Sequence, residues 1–162
     1  MKPPVVRSRI QVLIEEPRWR LLGRTFPAQL RRAAGASLVE AGRSPGGLTI
    51  LLGSDARLAA LNAQFRDIEK PTNVLSFPAG TDAYLGDVAI AYGVTAREAE
   101  DTSKTIREHA LHLAVHGVLH LLGYDHETVR EARIMEPMEV SILAKLGIAD
   151  PYLARTASAM AD

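Results

Sequence analysis

The chain has 162 residues, 47% apolar and 23% charged, which fits one folded domain with a sizeable core and argues against disorder in its body. Cysteine is absent, so disulfides, thiolate chemistry and Cys-containing zinc sites are excluded, and any metal must be held by His, Asp or Glu. Basic and acidic residues number 19 each, for a net charge of 0, which argues against a generally basic nucleic-acid coat but leaves room for a local basic surface.

Val5–Ile14 alternates Val, Ile and Leu with polar residues and reads as a strand. No signal-peptide h-region precedes it, and the expectation is a soluble, cytoplasmic protein with no membrane segment. Arg18, Arg20, Arg24, Arg31 and Arg32 then fall in a stretch without an acid between Glu16 and Glu40, with Trp19 and Phe26 interleaved. This is either a solvated helix face or an RNA-contacting surface held by phosphate attraction.

Pro27 opens a helix continued by the helical apolar spacing of Ala28–Ala41. The run from Gly42 to Gly47 is a loop, and Leu48–Gly53 a second strand. Ser54 or Asp55 caps a helix over Ala56–Arg66. Val74–Phe77 is a short strand between Pro71 and Pro78, and Leu85–Ala91 a fourth strand. Thr95-Ala-Arg-Glu98 has the form of a capping box and starts a helix, with a break at Asp101-Thr-Ser103. A core helix runs from about Lys104 to Leu122 and stops at Gly123; Thr128 caps a last helix to about Leu146, before Gly147. The order β-α-β-α-β-β-α-α-α predicts an α+β single domain, a small mixed four-stranded sheet packed with about five helices, over residues 1–152. Residues 153–162, rich in Ala, Ser and Thr, read as a flexible tail.

All five histidines lie between positions 109 and 126. His112, His116 and His120 are spaced i, i+4, i+8, which stacks them on one helix face. His116 and His120 can reach one ion from consecutive turns, the geometry of the H-E-x-x-H zinc motif. Gly123 ends the helix and lets Tyr124-Asp-His126 turn back to present a third imidazole. Three imidazoles leave the fourth tetrahedral position of zinc open, as in a catalytic site. The expectation is one Zn(2+) per chain at the end of the core helix. Gly117 stands where that motif has its Glu, so the motif's general base is missing and a peptide hydrolase is disfavoured. His112, one turn back, is either core or an outer partner; His109 reads as a partly exposed helix residue.

The string His116-Gly-Val-Leu-His-Leu-Leu-Gly-Tyr-Asp-His126 resembles the YbeY family, bacterial endoribonucleases of rRNA maturation. Leu61-Asn-Ala-Gln-Phe-Arg66, Pro71-Thr-Asn-Val-Leu-Ser-Phe-Pro78, Leu85-Gly-Asp-Val-Ala-Ile90, Met135, Glu139 and Asp150-Pro-Tyr152 fit the family in the same order. The likeness covers about Ile50 to Tyr152. It implies a metal-dependent endoribonuclease preferring single-stranded RNA, acting in 16S rRNA 3′-end maturation and ribosome quality control, with the small ribosomal subunit and its assembly factors as partners. It also implies His116, His120 and His126 as ligands and Arg66 as the arginine beside the metal.

Read physically, Arg66 is a helix-end cation or a guanidinium that clamps a phosphate oxygen and stabilises developing charge. Asp87 and Asp125 are candidates for orienting a ligand histidine, as is His112; each carboxylate can equally cap a loop or turn. An alternative function is a ribosome-assembly factor with a mainly structural zinc site, distinguished by whether metal removal unfolds the protein.

Overall fold

The computed structural model describes residues 9–66 and 72–153, with the side chain of Arg66 outside the described set. Strand β1 (Ile10–Ile14) leads through a 3-10 turn (Pro17–Leu22) into helix α1 (Phe26–Glu40). Then come β2 (Gly47–Gly53), α2 (Asp55–Arg66), β3 (Val74–Pro78), β4 (Tyr84–Ala91), α3 (Tyr92–Asp101), α4 (Ile106–Leu121) and α5 (Val129–Lys145). The sheet order is β1-β2-β4-β3. β1, β2 and β4 run parallel, and β3 pairs antiparallel on the edge. The expected mixed sheet of four strands is therefore present. The expected strand start at Val5 and the tail beyond Leu153 fall on residues outside the described set.

The middle strands are covered on both faces, which is why β4 reads as an almost continuous apolar run. On one face Leu48, Ile50, Val88 and Ile90 join Leu30, Ala34, Val115, Val118, Leu119 and Met135 in the main core. A smaller cluster of Leu58, Leu75, Ala89 and Ala91 lies apart from it. Alternation along β4 sends Val88 and Ile90 one way and Ala89 and Ala91 the other. Helix α4 is the central helix: nine of its residues are buried, and the half-buried stripe that remains holds its histidines.

Local chemistry explains most boundaries. Ser54 Oγ accepts from Arg57 N–H and caps α2. Thr105 caps α4, and Thr128 with Glu131 forms a full capping box on α5. The Thr95–Glu98 box does not form. β4 passes straight into α3 at Tyr92, so Thr95 lies buried within the helix and its hydroxyl donates to the Ala91 carbonyl. The cap comes from elsewhere in the chain: Asp55 accepts from Val94 N–H at 2.9 Å and pairs with Arg97 at 3.1 Å. Glu98 is left facing Asn73 and His109.

The interleaved aromatics of the arginine-rich stretch are core. Trp19 and Phe26 are 1% and 0% exposed, and Trp19 Nε1 donates to the Gly53 carbonyl. They stack on one another and so form no exposed platform for a base. Arg18 is held by Glu16 at 2.9 Å and lies over the Tyr92 ring.

Candidate metal centre

Helix α4 ends in a Schellman motif. Gly123 N–H bonds to the His120 carbonyl and Tyr124 N–H to that of Leu119, with Gly123 at φ +97°. The chain thus reverses within three residues of His120. Asp125 Oδ1 then accepts the backbone N–H of His126 at 2.7 Å, which sets the turn. His126 is brought back over the helix end by this geometry. His120 Nε2 lies 3.0 Å from His116 Nε2 and 3.2 Å from His126 Nδ1. Nitrogens bound tetrahedrally to zinc at about 2.0–2.1 Å would lie roughly 3.3–3.4 Å apart, so small ring movements accommodate an ion. The donor chemistry fits as well: three imidazole nitrogens suit a transition-metal ion, zinc among them.

Behind this trio stands a buried carboxylate. Glu139, 0% exposed on α5, lies 2.7 Å from His116 Nδ1 and 2.7 Å from His112 Nε2. The Tyr152 hydroxyl donates to the same carboxylate. Sequence reasoning placed Glu139 only among the family-like residues and assigned it no role. The signal was available: Met135, Glu139, Ile142 and Leu143 share one helical stripe, and an acid on an otherwise apolar stripe needs a buried partner.

Burial pushes the His120 ring down to about 4, helped by the neighbouring His116 and His126. For Glu139, burial alone would raise the carboxyl, but hydrogen bonds from His112 and His116 outweigh it and hold the group at about 2. Both shifts act in the same direction on stability. The unfolded chain binds a proton at His from pH 6.5 and at Glu from pH 4.5, before the folded chain does at either group. Protein stripped of metal should therefore lose stability as pH falls from about 6.5 towards 4, and again from about 4.5 towards 2. Urea midpoints across pH check this, and His120→Gln should flatten the upper window.

The trio opens into a cleft of about 1000 Å³ between β3, α3, α4 and the start of α5. Its described walls carry carboxylates (Glu98, Asp101, Asp125, Glu127, Glu136) and no Lys or Arg. His109, read from the sequence as partly exposed, is largely buried against Glu98 in the cleft wall. Burial lowers its ring. His112 sits one turn below His116 and meets Glu139, as an outer partner would. Asp125 lies 3.8 Å from His126 Nδ1 and acts chiefly on the turn.

Asp87 is not brought to the site. It lies next to Val88, whose side chain faces α4, so it points away and takes a hydrogen bond from the Tyr84 hydroxyl. Arg66 closes α2, and its side chain is outside the described residues. Arg20, Arg24, Arg31 and Arg32 are exposed, and none forms an ion pair among the described residues.

Gly117 proves to be a packing residue. A Cβ there would meet Val88 Cγ1 at 2.6 Å and Val74 Cγ2 at 3.1 Å, and Ser76 Oγ donates to the Gly117 carbonyl. The position faces β3 and β4, where a side chain would meet the sheet before anything else. Close helix–sheet packing thus gives glycine at this position a structural reason of its own.

Fold and cleft together define a class: a mixed-sheet α+β domain whose central helix ends in three imidazoles placed to share a metal ion. The family description "Endoribonuclease YbeY" matches residues 25–147, and the chain belongs to the YbeY family. Endoribonuclease YbeY of Maricaulis maris is 46% identical over 149 residues, covering 90% of this chain and 92% of that protein. That of Ruegeria sp. is 42% identical over 163 residues, covering 89% and 96%. A solution structure from Thermotoga maritima, 23% identical, superposes with a TM-score of 0.55 over 85% of this chain and 91% of that one, and shares the fold. Among the described residues no helix is long and apolar enough to cross a membrane.

Proposed function

We propose that this protein is a zinc-dependent endoribonuclease that hydrolyses phosphodiester bonds in single-stranded RNA. The carrying observation is the convergence of His116, His120 and His126 in a cleft, in a chain whose relatives are named endoribonucleases. One ion per chain is held by the three imidazoles. When bound, such an ion supplies Lewis-acid polarisation of a phosphoryl oxygen and a lowered pKa for water. Arg66, at the end of α2, contributes a guanidinium that binds a phosphate oxygen and stabilises developing negative charge. Glu139, itself hydrogen-bonded to His112, holds the His116 ring from behind. The work assigned to the protein is 16S rRNA 3′-end maturation and ribosome quality control in the cytoplasm, with the small ribosomal subunit and its assembly factors as partners.

Carboxylates around the cleft repel a polyanion, so attraction must come from outside the described lining. The exposed Arg20, Arg24, Arg31 and Arg32 suit contact with RNA phosphates at a distance from the cleft. Arg66→Ala should lower kcat on a defined RNA by about 10²–10³-fold with metal content retained. Glu at both 31 and 32 should instead raise KM and flatten its salt dependence. Equal loss of metal in Arg66→Ala would remove its catalytic role.

The test of the reading is incubation of pure protein with a defined single-stranded RNA, with and without chelator, followed by end-group analysis. Loss of cleavage in a chelated but folded protein supports the enzyme. Cleavage that survives complete metal removal overturns metal dependence. The acidic cleft lining keeps a second reading in view, an assembly factor with a mainly structural metal; chelation that unfolds the chain favours it.

A further inference from the structure

Two three-residue groups share His116: its Nε2 faces His120 and His126, and its Nδ1 faces Glu139 together with His112. The second group is not arranged as a metal site. Its nitrogen–oxygen distances are 2.7 Å, the length of charge-assisted hydrogen bonds and shorter than the roughly 3.3 Å between ligands of one tetrahedral zinc.

A carboxylate only accepts. Each nitrogen facing Glu139 therefore carries a hydrogen, and one carboxylate sets two rings in opposite tautomers. In a neutral His116 the hydrogen sits on Nδ1, which leaves a lone pair on Nε2, the atom nearest His120. In His112 it sits on Nε2, which leaves Nδ1 as the bare nitrogen, and that atom is buried without a hydrogen-bond partner among the described residues. Tyr152 supplies a third hydrogen bond, so Glu139 is anchored from α4 and from the chain after α5.

We propose that Glu139 is the positioning residue of the metal centre, fixing His116 as the Nδ1–H tautomer with Nε2 aimed at the ion, and that Tyr152 holds Glu139 in place. The proposal rests on the metal reading above. It makes the Asp150-Pro-Tyr152 segment part of the centre, although Tyr152 is 26 residues beyond the last ligand histidine. In Glu139→Gln one of the two oxygens that the rings use separately becomes a donating amide, so both rings can no longer be received in this arrangement.

The experiment compares wild type, Glu139→Gln and Tyr152→Phe by competition for zinc against a chelating dye. Imidazole tautomers are read by ¹⁵N long-range correlation NMR in mildly alkaline, metal-free buffer. Expected are the Nδ1–H form for His116 in wild type, a 10–100-fold weaker zinc affinity in Glu139→Gln with mixed His116 tautomers, and a smaller loss in Tyr152→Phe. Wild-type affinity in a folded Glu139→Gln, or an Nε2–H His116 in the wild-type protein, overturns the positioning role alone. If Glu139→Gln does not fold, the wild-type tautomer and the Tyr152→Phe affinity decide. Failure of the wild type to bind zinc overturns the metal reading and this proposal with it.

Discussion

His120→Ala should abolish metal binding and RNA cleavage while leaving the protein folded. His120 is the middle member of the trio, with its Nε2 3.0 and 3.2 Å from the other two ligand nitrogens. Losing it leaves His116 and His126 without the nitrogen that joins them. An outer partner is typically worth 10–100-fold in affinity, and a ligand itself should exceed about 100-fold. The fold should survive because His120 is half-buried at the helix end and alanine is the best helix former. Metal content after dialysis, cleavage of a defined single-stranded RNA, and circular dichroism on one preparation check all three parts. A variant with full metal content and unchanged cleavage would defeat the proposed centre.

The second large effect concerns Gly117. Restoring the H-E-x-x-H form by Gly117→Glu should unfold the protein and create no peptidase. The new Cβ would strike Val88 Cγ1 at 2.6 Å, and the carboxylate would be driven between α4 and the sheet. Burying an unpaired ion costs several kcal/mol, against a typical domain stability of about 5–15 kcal/mol. Gly117→Ala offers a graded control. Overpacking costs about 1–3 kcal/mol and the better helix propensity returns about 1, for a net loss of about 0–2 kcal/mol. Denaturant midpoints measure it, and a wild-type midpoint in Gly117→Glu would mean that α4 does not press on the sheet there.

Element order and most boundaries were legible because their causes are local. Ser54, Thr105 and Thr128 accept hydrogen bonds from N–H groups three residues on, and Gly123 and Gly147 take the positive φ that ends a helix. The Thr95–Glu98 box had the right letters and failed for a nonlocal reason. Asp55, 39 residues before Val94, already satisfies that helix end, and β4 leaves no loop in which Thr95 could act as a cap. Trp19 and Phe26 are also placed by packing: they alternate with arginines in the sequence, yet both are buried and stack on one another in the core.

The three histidines divide along this line. By itself the sequence determined that they gather: i, i+4 spacing puts two on consecutive turns, and a glycine two residues before Asp125 lets the third return. Helical pitch and a single backbone turn suffice for that, and both are properties of a dozen contiguous residues. Tertiary structure alone decided what stands around them. Glu139 reaches His116 across the packing of α5 on α4, Tyr152 reaches Glu139 from the segment after α5, and Asp87 turns away because strand alternation commits its neighbour Val88 to α4. Periodicity tells which face of an element is buried; which partner that face meets depends on how separate elements pack, and no local spacing encodes it.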